Sequence, residues 1–367
     1  MDLRKHKKIS LVIAIVLLFS VVLMAACNSG NTTEPSGGDT TPAPAPATDT
    51  GSAPAASDET YIMRIGCGAG GGNPQVKFMD EFKVVAEEMS GGRLTVELYP
   101  MGQLGTLAQM VQSVQDGSVS AYLMPTSYFS SVVPELEVLD IPSLFVDSAH
   151  ITRTFMNNET SLTPKLRAGG IIDMAWVYLN DQIITGNKEI KTIGDFQGLK
   201  IWCNPGEAIQ MNMQVLGMTT SMIDLGELTS GLQNGTLDMA LAGAPLFVPY
   251  NLQDVAKYLI LTPQSGTCAI FAVSQIWFDT MPADIQEIIE QASYEVNTNI
   301  IYDYGSVFQE ECIQTLVDGG QTLIDPEGQL KADLDAAYAT VPDLFLGSRP
   351  QYQATYDELK ALAVANL

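Results

Sequence analysis

The chain has 367 residues with 18 basic and 42 acidic side chains, a formal charge of −24. Without residues 1–26 the balance is 14 basic to 41 acidic, or −27. Charge of that sign argues against nucleic acid or an anionic lipid surface as partner. His150 is the only histidine beyond the leader, which removes most metal-ligand and general-base chemistry. No metal or cofactor is expected.

Residues 1–26 combine a cationic start (Arg4, Lys5, Lys7, Lys8) with an uncharged run from Ile9 to Ala26. A secretory signal has this n-region and h-region before a small-residue cleavage site. Ala25-Ala26-Cys27 resembles a bacterial lipobox, with Met24 where Leu is usual. The other reading is an uncleaved membrane anchor, since 18 residues of helix reach about 27 Å. Lipid attachment at Cys27 is the favoured reading, because the small residues and cysteine stand where a stop-transfer segment needs basic flanks. Either way the body lies outside the cytoplasm, held at the cell membrane on its extracytoplasmic face.

Residues 27–59 are rich in Pro, Gly, Ser, Thr and Ala. Such a segment cannot bury enough apolar surface to offset chain entropy, and reads as a disordered tether. As a coil it spans about 30 Å.

The body is long enough for two lobes. Tyr61 to Ile65 is a strand, broken by Gly66-Cys67-Gly68-Ala69-Gly70-Gly71-Gly72. Asn73-Pro74 then offers an N-cap and a first-turn proline. Val76, Phe78, Met79, Phe82, Val85, Ala86 and Met89 follow at helical spacing. Leu94 to Leu98 is the next strand, Thr106 caps a helix through Gln115, and Ser120 to Met124 is a third strand. This alternation indicates parallel βαβ units.

The same grammar returns. Val114-Gln115-Asp116-Gly117-Ser118-Val119 is echoed by Leu232-Gln233-Asn234-Gly235-Thr236-Leu237, and Arg64 to Gly68 by Lys200 to Asn204. Asn204-Pro205 is expected to open a helix as Asn73-Pro74 does. Two similar α/β lobes follow, with ligand beyond the carboxyl ends of their strands. Cys67 to Asn73 with Thr126 to Tyr128, and Trp202 to Gly206 with Ala242 to Pro245, should then share a cleft. From Ile285 to Leu316 a helical pattern long enough to cross both lobes is interrupted by Gly305. His150 reads as the start of a surface helix, and residues 351–367 as a final surface helix.

Gly66-x-Gly68-x-x-Gly71 fits the dinucleotide fingerprint formally, but the acidic residue that should follow, Glu97, is late and inside its strand. No nucleophile elbow occurs. An exported oxidoreductase is therefore set behind a binding protein, and no enzyme is expected. Cys67, Cys203, Cys268 and Cys312 lack zinc spacing, while disulfides among them are permitted by the compartment.

Gly91-Gly92-Arg93-Leu94-Thr95-Val96-Glu97-Leu98-Tyr99-Pro100-Met101-Gly102-Gln103-Leu104-Gly105 resembles a stretch of the solute receptors of tripartite ATP-independent periplasmic (TRAP) transporters, the DctP-like family. Leu139 to Phe145, Asp195 to Ile201 and Leu232 to Asp238 resemble further motifs of that family, in order. The resemblance implies an α/β, two-lobed, periplasmic-binding-protein-like clamshell with an interlobe cleft. It implies closure on one small molecule and delivery to an ion-gradient-driven membrane permease. A sensor presenting its ligand to a signalling protein is the alternative. The expected division is residues 60–179 and 268–307 in lobe I, 180–267 and 308–345 in lobe II, and 346–367 as a C-terminal helix.

The departures from the family bear on the ligand. Trp202 stands where the family usually carries a carboxylate-clamping arginine, and Gln182 near a second one. Ala240 and Ala242 replace polar positions, and Ser274 aligns with an asparagine. The expected ligand-binding set is Gly68, Asn73, Thr126, Ser127, Tyr128, Gln182, Trp202, Asn204, Ala242 and Ser274. A neutral, zwitterionic or aromatic solute is expected over a dicarboxylate.

Overall fold

The computed structural model describes residues 59–367 apart from 146–147, 157–159 and 301–303. The leader, Cys27 and the tether up to residue 58 lie outside the described residues.

The first unit comprises β1 (Tyr61–Cys67), α1 (Pro74–Met89), β2 (Leu94–Tyr99), α2 (Leu107–Gln115) and β3 (Ala121–Pro125). Two 3₁₀ turns (Thr126–Ser131, Pro134–Asp140), α3 (Ser148–Met156) and α4 (Leu162–Ala168) lead into the long β4 (Ile171–Gly186). The second unit is β5 (Lys200–Trp202), α5 (Glu207–Gln214), β6 (Thr219–Ser221), α6 (Leu228–Asn234), β7 (Met239–Ala242) and the short α7 (Ala244–Phe247). After β8 (Tyr258–Ser274) come α8 (Gln275–Phe278), α9 (Ala283–Glu295), a π-helical turn (Val296–Ile300) and α10 (Tyr304–Asp318). The chain ends with β9 (Thr322–Ile324), α11 (Gly328–Tyr338), α12 (Val341–Ser348) and α13 (Gln353–Ala365).

One mixed sheet runs β2-β1-β3-β8-β4-β7-β5-β6, with β9 beside β8. In each unit a central strand pairs in parallel with two neighbours: β1 with β2 and β3, β5 with β6 and β7. The echoed segments are these central strands and the approaches to β3 and β7. Gly117 and Gly235 end their helices at φ 80° and 77°, a left-handed conformation that glycine adopts without steric cost. The antiparallel ribbon β4–β8 joins the lobes. β3 pairs with β8 over Ala269–Val273, while β7 pairs with β4 over Ile183–Gly186. The ribbon therefore serves opposite lobes with its opposite ends.

Each lobe has apolar clusters on both sheet faces. Ile285 and Ile289 of α9 join a first-lobe cluster, and Cys312 and Leu316 of α10 a second-lobe one. The helical stretch read from sequence thus reaches both lobes, with a π turn within it. Gly305 has a reason to be there: a Cβ would come within 2.9 Å of the Tyr178 carbonyl oxygen and 3.1 Å of that of Leu179. The missing side chain lets α10 sit on the ribbon.

Two expectations need correction. His150 is buried, with Nε2 2.6 Å from the Ala363 carbonyl oxygen. Its partner is 213 residues away, so local polarity misled. The helix after Asn204-Pro205 begins at Glu207 with Gly206 as N-cap, which leaves Asn204 outside the capping role. The C-terminal α13 buries Tyr356, Leu359 and Ala363 against the first lobe.

Candidate ligand-binding site

The carboxyl ends of the parallel strands converge on an inner recess of about 40 Å³, room for a water or two. The first lobe contributes Gly68, Ala69, Asn73, Gln75, Leu107 and Pro125. From the ribbon come Leu179, Asn180 and Thr267, and from the second lobe Asn204, Leu225, Ala242, Gly243 and Leu246. Gly68, Leu107 and Leu225 also border an outer groove of about 550 Å³. That groove adds Tyr128, Trp202, Cys203, Asp224 and Tyr250 among others.

The glycine loop is held from behind. Met101 N–H donates to the Ala69 carbonyl and Gly102 N–H to that of Cys67, both at 3.0 Å. A Cβ at Gly70 would lie 2.6 Å from Met101 Sδ and 3.0 Å from Pro249 Cβ of the second lobe. Glycine here allows the lobes to approach. Asn73 caps α1, its Oδ1 accepting from Gln75 N–H at 3.0 Å, and Gln75 Nε2 donates to the Leu123 carbonyl at 2.8 Å.

Asn180 lies in β4 between register shifts at Tyr178/Asn180 and Asp181/Ile183. It is 5% exposed and its Oδ1 has no partner. Gly243 lies against it, so that a Cβ there would fall inside the Asn180 carboxamide. No lysine, arginine or histidine is among the described residues lining either space; the only carboxylate is Asp224 in the groove. Burial, then the Asp224 charge, raises the Tyr128 and Tyr250 hydroxyls above the ordinary tyrosine range.

Six of the ten residues expected from sequence border these spaces: Gly68, Asn73, Asn204 and Ala242 the recess, Tyr128 and Trp202 the groove. Trp202 is 2% exposed and its Nε1 donates to the Ile223 carbonyl at 2.9 Å. It is a core residue whose edge reaches the groove. Thr126 and Ser127 are buried and line neither space. Gln182 is a supporting residue, donating from Nε2 to Thr267 Oγ1 at 3.4 Å. Ser274 caps α8 by accepting from Trp277 N–H; it belongs to the far end of the ribbon. Asn180, Gln75 and Thr267 were not anticipated, whereas Gly243 falls in the stretch Ala242 to Pro245 expected at the cleft. For Asn180 a signal existed, since it precedes Gln182 by two residues in a strand.

Burial pushes the thiols of Cys67 and Cys203 up to about 12 and that of Cys312 to about 11. All four described cysteines are free and buried. Such thiols are inert.

A family model described as bacterial extracellular solute-binding protein, family 7 (DctP) matches residues 65–345. The C4-dicarboxylate-binding periplasmic protein of Rhodobacter capsulatus is 24% identical over 251 residues, 68% of this chain and 75% of the relative. The sugar acid binding protein of Advenella mimigardefordensis, solved with galactonate, superposes with a TM-score of 0.78 at 21% identity, covering 84% of this chain and 99% of that one. A TRAP solute-binding protein of Desulfovibrio salexigens with bound orotic acid gives 0.77 at 19% identity, covering 84% and 100%. The fold, the cleft between parallel units and the family match agree, and this chain belongs to the DctP family of extracytoplasmic solute-binding receptors of TRAP transporters, which are receptors and not enzymes.

Proposed function

We propose that this receptor is a lipoprotein anchored through Cys27, and that it carries a neutral, zwitterionic or aromatic-faced solute to its TRAP permease. The observation behind the ligand class is the lining of the recess: carboxamides and a hydroxyl among apolar side chains, with no cation. A carboxylate buried there without a partner would cost several kcal/mol, more than a small ligand readily recovers. Asn73, Asn204, Tyr128, the Trp202 edge and the glycine loop would hold the solute while the lobes close over it. Mass spectrometry of small molecules released from natively purified protein should find such a solute, and adding it back should lower the radius of gyration in solution scattering. Tight binding of succinate or malate by calorimetry would overturn the ligand class.

Anchoring has its own test. Two or more acyl chains give stable membrane retention where one does not. The Cys27→Ser protein should leave the membrane fraction or retain its uncleaved leader. A variant that stays in the membrane at native length would show the apolar run to be a true span.

A further inference from the structure

We infer that the inner recess recognises an uncharged carboxamide end of the solute, with Asn180 as the specificity-determining residue; this rests on the neutral-solute reading above. Four carboxamides line the recess (Asn73, Gln75, Asn180, Asn204) beside the Thr267 hydroxyl. Their commitments within the chain are few. Asn73 spends its Oδ1 on Gln75 N–H, Gln75 its Nε2 on the Leu123 carbonyl, and Thr267 Oγ1 accepts from Gln182. Donors then remain on Asn73 Nδ2 and the Thr267 hydroxyl, an acceptor on Gln75 Oε1, and both kinds on Asn180 and Asn204.

A carboxylate offers only acceptors and an ammonium only donors. Against a mixed lining each leaves groups of its own sign facing it. A carboxamide or lactam presents a donor and an acceptor side by side and satisfies both. Asn180 is the residue whose need is visible, with a buried Oδ1 lacking any partner. It is also held in place, by the register shifts on either side and by Gly243 packed against its carboxamide. Gln182 repeats the pattern further along the strand, with a buried Oε1 that lacks a partner.

The test is native mass spectrometry of the full chain in equimolar acid and amide pairs: nicotinate with nicotinamide, and succinate with succinamide. The wild type should retain the amide members over the acids by at least about tenfold, as sites built on hydrogen bonds reject analogues that leave them unpaired. Asn180→Asp keeps the size but places an anion, and should lower amide retention by about tenfold or more. Gly243→Ala displaces the carboxamide without altering its chemistry and should act in the same direction. Gly243 has φ −85°, open to alanine, so this variant carries the test where Asn180→Asp fails to fold. If the wild type prefers amides and both variants keep that preference, the assignment to Asn180 is wrong while the neutral-solute reading stands. If the wild type retains neither member, the carboxamide inference falls, and the released solute still judges the receptor reading. If acids win in the wild type, both readings fall.

Discussion

Phe271→Ala should lower the unfolding free energy by about 3–5 kcal/mol, the range for a large aromatic removed from a packed core. Phe271 is fully buried in β8, with its ring centroid 5.0 Å from that of Phe78 and 5.1 Å from that of Phe82. Both partners belong to α1. On the backbone side Phe271 pairs with Leu123 of β3 and Ala175 of β4. One ring therefore fastens α1 to the junction of first-lobe sheet and ribbon. The same helix starts with the Asn73 cap and Gln75, so loosening it also disturbs the recess. Domains have about 5–15 kcal/mol in total, and the loss should appear as a large drop in urea midpoint. Ile276→Ala, at a side chain 56% exposed, should stay within about 0.5 kcal/mol as a control. A change at Phe271 no greater than the control would show that the aromatic cluster does not hold the helix.

The parallel units were legible because their signals are local. Strand runs, the Asn73 and Thr106 caps and the left-handed glycines each depend on a few neighbouring residues. The joining ribbon was legible only in part. The expected lobe division changes lobe at 179/180 and 267/268, but the ribbon's strands of 16 and 17 residues include Asn180, Asp181, Gln182, Gln264, Ser265, Gly266 and Thr267, a composition that reads as loop by propensity. Pairing across the ribbon overrides that preference.

The site divides in the same way. Gly68, Asn73 and Asn204 follow strand ends and Ala242 closes β7, where a local rule points to ligand. Thr267 meets Asn180 only through a pairing across 87 positions of chain, which no periodicity reports. Naming Gln182 alone from β4 missed Asn180, which alternation places two residues earlier on the same face; the register shifts on both sides of Asn180 have no signature in the sequence. Trp202 occupies the expected register, yet its indole N–H is taken by the Ile223 carbonyl. Register gave its place in the fold, and packing decides how much of it faces the groove.

The Asp140→Asn variant should be more stable than wild type at pH 8 by about 1–3 kcal/mol, the usual cost of an unsatisfied buried polar group. Asp140 ends the second 3₁₀ turn of the first lobe, is 4% exposed and has an Oδ2 without a partner. Burial, and after it the negative charge of Glu137, holds its carboxyl well above the ordinary range. Glu137 is itself raised, chiefly by burial. Both residues meet α5 of the second lobe: Asn212 Nδ2 donates to the Asp140 carbonyl at 3.0 Å, and Glu207 N–H donates to Glu137 Oε2 at 3.1 Å. Since the folded state holds the Asp140 proton more tightly than the unfolded state, it binds more protons between the two pKa values. The stabilisation is complete below the ordinary carboxylate range near 4 and is lost as pH rises through the raised value. Asparagine cannot ionise and keeps an uncharged amide in that place, so the variant should match wild type more closely at pH 4 and surpass it at pH 8. Urea midpoints at the two pH values measure this directly. A variant that loses stability at pH 8, or keeps the wild-type pH slope, would mean that the Asp140 charge is compensated in the folded protein. If the slope does flatten, the acid at the junction of turn and α5 makes the packing of one lobe on the other weaken with rising pH, because ionising Asp140 places a second negative charge beside Glu137 where the lobes touch.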